Sequence, residues 1–236
     1  MTIPLVFVPG MMCDARLFMP QIVSLSNRHP ITIAPITRDS KIEAMAAALL
    51  AAAPRRFALV GADMGGMVAM EVLRQAPDRL DRICLIGTTP LPETPVEAAD
   101  REPMIISAKA GNFQQVLDEA LTSDALAPGS ARIGILGQLK SMALDLGPDV
   151  FERQCRALQR RKDQQATLRK AKVPVHLVCG AHDALTPVRR HETMADLIPH
   201  ANLTVLQDAG HVPTLETPEA MAGVLSSWLE QPLVLR

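Results

Sequence analysis

Short apolar runs alternate with amphipathic stretches along most of the chain, the pattern of parallel strands joined by crossover helices. Pro4 to Val8 reads as a strand closed by Pro9-Gly10, Asp14 caps a helix running to about Leu25, and Ile31 to Ala34 is the next strand. Lys41 to Ala53 carries Ile42, Met45, Leu49 and Ala53 on one stripe and stops at Pro54, so it is a helix. Phe57 to Gly61 is a strand, Gly65 to Gln75 a helix stopped by Pro77, and Arg82 to Ile86 a strand. The alternation then lapses. Between about Pro90 and Ala171 only helical stretches occur: Val96 to Ala110, Phe113 to Leu121, Ser130 to Leu144 and Asp149 to Arg161. It resumes with a strand at Val175 to Cys179, a helix around Arg189 to Leu197, a strand at Leu203 to Leu206 and a last helix from Pro218 to Leu229. The expected architecture is α/β: about six mostly parallel strands flanked by helices, with residues 1–89 and 172–236 as the core and residues 90–171 inserted as a helical cap.

The chain's 236 residues suit one large domain. Lys+Arg 24 against Asp+Glu 25 leaves a net charge of −1, with no field to draw nucleic acid or an anionic membrane. The longest apolar runs, such as Ala44 to Ala53, fall well short of the ~20 residues of a membrane span. Met1-Thr2-Ile3-Pro4 lacks a basic leader region, so a cytoplasmic protein is expected. The four cysteines, Cys13, Cys84, Cys155 and Cys179, show neither C-x-x-C nor zinc-site spacing. We read all four as reduced and chemically passive, and no cofactor or metal is expected. The basic run from Arg153 to Lys172 reads as a solvated helix face. There is no tyrosine, and Trp228 is the only tryptophan.

The strongest chemical signal is Gly61-Ala62-Asp63-Met64-Gly65-Gly66, placed between an expected strand and an expected helix. It has the form G-x-Nuc-x-G, in which a sharp turn lifts the central side chain above the sheet at a helix N-terminus. Two further pieces follow in the order nucleophile, acid, histidine. Asp183 lies just past a strand in Gly180-Ala181-His182-Asp183, and His211 lies 28 residues later in Ala209-Gly210-His211. One strand-helix-strand unit separates them, so both fall on the sheet edge that carries Asp63. His182 reads as a neighbour of Asp183, and His29, His176, His191 and His200 as structural.

These residues, with the opening V-P-G-M-M-C-D-A-R-L-F, the later G-x-H-D-x-L-T-P and the A-G-H-V-P, resemble the α/β-hydrolase fold family over the whole chain. The resemblance implies His211 as general base, Asp183 as its orienting partner, and the Met11 and Met64 N–H groups as an oxyanion hole. It is similar in particular to a small serine esterase and lactonase branch, with Asp63 where those proteins carry Ser. The expected partner is a small molecule, compact and largely apolar because the expected cap is rich in Leu, Ile, Met and Ala. Arg101, Lys109 and Arg132 stand as candidates to meet a substrate carboxylate.

Aspartate changes the chemistry at the elbow. A carboxylate attacking an ester carbonyl forms an adduct whose best leaving group is that same carboxylate, whereas attack on saturated carbon leaves a stable alkyl ester. Three readings stay open. The first is an ester, lactone or related acyl hydrolase, impaired or redirected by Asp63. The second is hydrolysis at saturated carbon, of the dehalogenase or epoxide-hydrolase type, through alkyl-Asp63. Family dehalogenases follow the Asp with Trp or Arg, where this chain has Met64, and family epoxide hydrolases use cap tyrosines, which this chain lacks. The third is a non-catalytic binding protein on the same fold.

Overall fold

The computed structural model describes residues 2–198 and 200–232; Met1, part of the N-terminal reading above, lies outside them. Six parallel strands, β1 (Leu5–Val8), β2 (Ile31–Ile33), β3 (Phe57–Ala62), β4 (Leu80–Ile86), β5 (Val175–Gly180) and β6 (Asn202–Leu206), form one sheet in the order β2-β1-β3-β4-β5-β6. Strands β1, β3 and β5 are buried along their whole length, which is why they read as continuous apolar runs.

The period-two alternation of the strands divides the interior into two layers. Val6, Val8, Leu59 and Leu85 face α2 (Ile42–Ala52), α3 (Met64–Gln75) and α9 (Val188–Leu197). Leu5, Phe7, Val60 and Ile86 face α1 (Met19–Leu25) and α11 (Pro218–Glu230), where Trp228 is fully buried. Between β4 and β5 come five helices: α4 (Pro95–Ser107), α5 (Phe113–Ala120), α6 (Arg132–Leu146), α7 (Pro148–Gln159) and α8 (Gln165–Arg169). No strand interrupts that stretch among the described residues. Its own apolar centre holds Ile105, Phe113, Leu117 and Phe151, with the Phe113 and Phe151 rings 5.6 Å apart.

The local differences from expectation have simple causes. The helix expected from Asp14 begins as a tighter turn, Ala15–Phe18, with the Asp14 carboxylate accepting from Arg16 N, and becomes α-helical at Met19–Pro20. The helix expected to reach Ala110 ends at Ser107 and opens into a wide turn, Ala108–Asn112, where Gly111 takes a φ of 96°. Helices α8 and α10 (Pro213–Glu216) span five and four residues, too short to write an apolar stripe.

The chain leaves β1 toward β2 and returns on the other side of β1 as β3, so the order reverses between β1 and β3. Crevices outside the carboxyl ends of strands at such a reversal are where α/β sheets hold ligands. Here that crevice lies between the loop Pro9-Gly10-Met11 and Asp63.

Candidate active site

Asp63 sits at the junction of β3 and α3 with φ 49° and ψ −119°, a left-handed conformation that costs a non-glycine residue ~1–3 kcal/mol. Its surroundings hold it there. Asp63 N donates to Ile86 O at 2.9 Å, while Thr88 Oγ1 and Gly66 N donate to Asp63 O at 2.7 and 2.9 Å. The flanking glycines are required by contact. A Cβ on Gly61 would stand 2.4 Å from Gly65 O, one on Gly65 2.1 Å from Val8 O, and one on Gly66 2.6 Å from Thr88 Cγ2.

The three residues singled out on separate strand ends meet in space. His211 Nδ1 lies 3.0 Å from Asp183 Oδ2, and His211 Nε2 lies 3.8 Å from Asp63 Oδ1. Asp183 is fixed by its own turn: Oδ1 accepts from Leu185 N at 2.9 Å and Thr186 N at 2.8 Å, and Oδ2 from Thr186 Oγ1 at 2.6 Å. Gly180 allows the chain after β5 to pass the next loop, since a Cβ there would lie 2.2 Å from Ala209 O and Gly210 O.

The electrostatics follow from this sandwich. Burial opposes a charge on His211, but hydrogen bonds and attraction from Asp183 and Asp63 outweigh it and push its pKa up to about 10. Burial likewise opposes ionisation of Asp63, yet His211, Met11 N–H and Met64 N–H hold its carboxyl below the usual carboxylate range. Asp183 is held low in the same way, by His211 and Thr186 against burial. At neutral pH the array is therefore carboxylate, imidazolium, carboxylate, with a net charge of −1.

Met11 N donates to Asp63 Oδ2 at 2.8 Å, so one carboxylate oxygen already fills the acceptor position facing that N–H group. Gly10 makes the approach possible, as a Cβ there would lie 3.1 Å from both Asp63 Cβ and Oδ2. The loop's next residue, Met12, has a φ of 52° and is held from the helical insertion. Gln154 on α7, with no exposed surface, accepts from Met12 N at 2.8 Å and donates to Ile36 O at 3.0 Å. Sequence reasoning missed Gln154. The available signal was a polar residue inside the buried stripe Val150, Phe151, Cys155 and Leu158.

A cavity of about 330 Å³ opens over Asp63 and His211. Met11, Met104, Leu117, Leu121, Phe151 and Leu158 supply much of its apolar wall, and Arg101 and Arg161 its cationic side chains. Two expectations change here. Arg161, read as part of a solvated basic face, is 10% exposed and pairs with buried Glu93 at 3.0 Å. Of Arg101, Lys109 and Arg132, only Arg101 reaches the cavity; Lys109 pairs with Glu152 and Arg132 donates to Leu126 O.

Cys13 lines the cavity, and burial followed by the Asp63 and Asp14 carboxylates pushes its thiol pKa up, keeping it protonated. All four cysteines are free. His182 is exposed, and His29, His176, His191 and His200 each meet a backbone or hydroxyl group away from the cavity. No group of three or more potential metal ligands occurs among the described residues, and no helix there is long and apolar enough to cross a membrane.

Known proteins share this arrangement of strands. A thermophilic esterase from Thermogutta terrifontis superposes with a TM-score of 0.87 at 24% identity, covering 96% of this chain and 89% of that one. The enol-lactonase from Burkholderia xenovorans superposes with a TM-score of 0.86 at 18% identity, covering 98% and 93%. In sequence, the pimeloyl-[acyl-carrier protein] methyl ester esterase of Aromatoleum aromaticum is 30% identical over 204 residues, 78% of each chain. The protein of that name from Neisseria meningitidis serogroup C is 29% identical over 203 residues, 84% of this chain and 78% of that one. A family model described as the alpha/beta hydrolase family matches residues 5–224, and the chain belongs to that family.

Proposed function

We propose that the chain is a hydrolase for a small, largely apolar ester, lactone or related acyl substrate. Its site is a nucleophile–histidine–acid array of Asp63, His211 and Asp183, with Met11 and Met64 N–H groups as the oxyanion hole and residues 90–171 as a cap. The observation that carries this reading is the convergence of Asp63 Oδ1, His211 Nε2 and Met11 N–H on the floor of one apolar cavity. The esterase and lactonase names of the relatives point the same way.

With serine at residue 63 the steps are direct. His211 takes the hydroxyl proton, the oxygen attacks the carbonyl carbon, and the oxyanion rests on Met11 and Met64 N–H. Collapse expels the alcohol, which takes the proton from His211, and water repeats the sequence to release the acid. Aspartate obstructs this route twice. Its Oδ2 fills the place of the substrate oxygen, and its carboxylate leaves the adduct more readily than an alkoxide. Ester turnover by the present chain is therefore slow.

The occupied oxyanion position favours a second reading. Oδ1 attacks a saturated carbon and the leaving group departs with its electron pair, as a halide or as an epoxide oxygen protonated by the His211 imidazolium. The new ester keeps Oδ2 on Met11 N–H. Esterification also removes the Asp63 charge that helps raise the His211 pKa. After halide loss the imidazolium therefore releases its proton to solvent, while after epoxide opening it has already given it up, and in both cases a neutral imidazole is left as base. It takes a proton from water, the hydroxide attacks Asp63 Cγ, and collapse releases the alcohol and the carboxylate.

The readings separate by experiment. Asp63→Ser is assayed on p-nitrophenyl esters and lactones, and the His211→Ala chain is weighed intact after exposure to alkyl halides and epoxides. Ester turnover gained by Asp63→Ser supports the first reading, and an alkyl adduct on Asp63 the second. Neither result across a broad panel overturns both.

A further inference from the structure

Two guanidinium groups share one carboxylate on the wall of the cavity above Asp63. Glu93 Oε1 accepts Arg101 Nε at 2.7 Å, Arg101 Nη2 at 2.5 Å and Arg161 Nη1 at 3.0 Å. Side-chain exposures are 22% for Arg101, 10% for Arg161 and 2% for Glu93, so the trio is largely withdrawn from water with a net charge of +1. A buried cation without a full counter-charge is costly, and a site that keeps one is prepared to receive an anion.

The donors left over point to where that anion sits. Arg101 Nη1 meets only Met11 Sδ and Cys155 Sγ, each at 3.9 Å and each a weak acceptor. Arg161 spends Nε on Leu91 O and Nη1 on Glu93, while its Nη2 has no hydrogen-bond partner among the described residues. Both arginines line the cavity, and Met11 beside Arg101 is the residue whose N–H meets Asp63. Burial depresses the pKa of Arg161 in spite of the facing Glu93, which a bound anion reverses. Asp63 and Glu97 also attract Arg161, but neither accepts a hydrogen bond from Arg101 Nη1 or from Arg161 Nη2.

Resting on the reading of this cavity as a substrate site, we propose that Arg101 and Arg161 form a carboxylate-binding subsite. The substrate is then a small organic acid that carries its reactive bond a short apolar chain away from the carboxylate.

The test uses hexanoate and its uncharged isostere hexanamide, titrated calorimetrically into the unmutated chain at pH 7 and fixed ionic strength. A charge-assisted pair on two guanidinium groups predicts that hexanoate binds at least about tenfold more tightly. Arg101→Gln and Arg161→Gln each bring the two affinities within about twofold of one another, whereas Lys109→Met, on the outer surface, leaves the ratio as it was. Equal affinities in the unmutated chain overturn the proposal without any variant having to fold. So does a preference for hexanoate that survives both arginine substitutions. The outcome is separate from that of the proposed function. If Asp63→Ser hydrolyses no ester while the hexanoate preference holds, the reaction is misread and the subsite stands. If Asp63→Ser hydrolyses esters and the preference is absent, the subsite falls and the reaction stands.

Discussion

Glycines at the sheet edge and glycines in the helical insertion occupy opposite situations. At Gly61, Gly65 and Gly66 an added Cβ would lie 2.1–2.6 Å from neighbouring atoms of β1, α3 or Thr88. At Gly111, Gly129, Gly134 and Gly137 it would meet nothing within 4 Å. The sheet edge has no slack, so its residue types follow from local geometry. The insertion has room, and what it contributes depends on which side chains packing turns inward.

The sharpest break of that contrast is a pair of alanine substitutions. Gly65→Ala drives a methyl group into the backbone of β1, and the expected outcome is a chain that fails to accumulate as a folded protein, read by circular dichroism and gel filtration. Gly134→Ala, on an exposed turn of α6, is expected to stabilise by about 0.5–1 kcal/mol, because alanine loses less freedom than glycine in a helix. If both variants melt like the unmutated chain, the elbow is looser than described.

Next in size are substitutions at the site. In the Asp63→Ser background, His211→Ala should lower kcat/KM on the best p-nitrophenyl ester by on the order of 10⁴ or more, since both half-reactions use the base. Gln154→Ala leaves Met12 N–H buried without an acceptor. It is expected to destabilise by about 1–3 kcal/mol and, on the proposed mechanism, to lower kcat roughly tenfold with KM little changed, because the Met12 N–H it holds fixes the loop that presents the adjacent Met11 N–H. A change confined to KM would make Gln154 a wall of the pocket instead. Cys13→Ala, which removes a thiol that stays protonated and makes no hydrogen bond to His211, should stay within about tenfold in the same assay. A loss equal to that of His211→Ala would move the nucleophile to Cys13.

A separate effect is on the pH dependence of stability. The folded pKa of His211, about 10, lies above its ordinary 6.5, so between those values the folded chain holds a proton that the unfolded chain has released. His211 therefore contributes its full stabilisation below pH 6.5 and loses it as pH rises toward 10, at no more than about 1.4 kcal/mol per pH unit. Asp63 and Asp183, both lowered, act at the other limb: their contribution is present above the ordinary carboxylate range and fades as pH falls. Urea midpoints from pH 6 to 10 should decline in the unmutated chain, and less steeply in Asp63→Ser, where one of the two carboxylates facing His211 is gone. Parallel curves would show that Asp63 does not set the histidine's charge.

Legibility of the sequence divides along the same line. The six strands, the elbow and the meeting of Asp63, Asp183 and His211 could be read because buried strands write apolar runs and each residue lies in the loop or turn that follows a strand. Gln154, Glu93 and Arg161 could not, since their roles come from contacts across 142 positions, between Gln154 and Met12, and across 68 positions, between Arg161 and Glu93. Gln164 in the insertion meets Glu71 on α3 across 93 positions, the same long reach that hides such residues from local patterns. The occupied acceptor position at Met11 N–H was equally hidden. An aspartate at the elbow can be read from sequence, but the turn of its carboxylate toward Met11 N–H cannot.

The most direct test of the account is the p-nitrophenyl ester kcat/KM of Asp63→Ser against that of the unmutated chain, at one pH and on one substrate panel. If Asp63 stands in the nucleophile's seat with Oδ2 filling the oxyanion position, the substitution frees that position and supplies a hydroxyl, and turnover should rise by at least ~10². A purified, folded Asp63→Ser chain no faster than the unmutated one on every ester would contradict it.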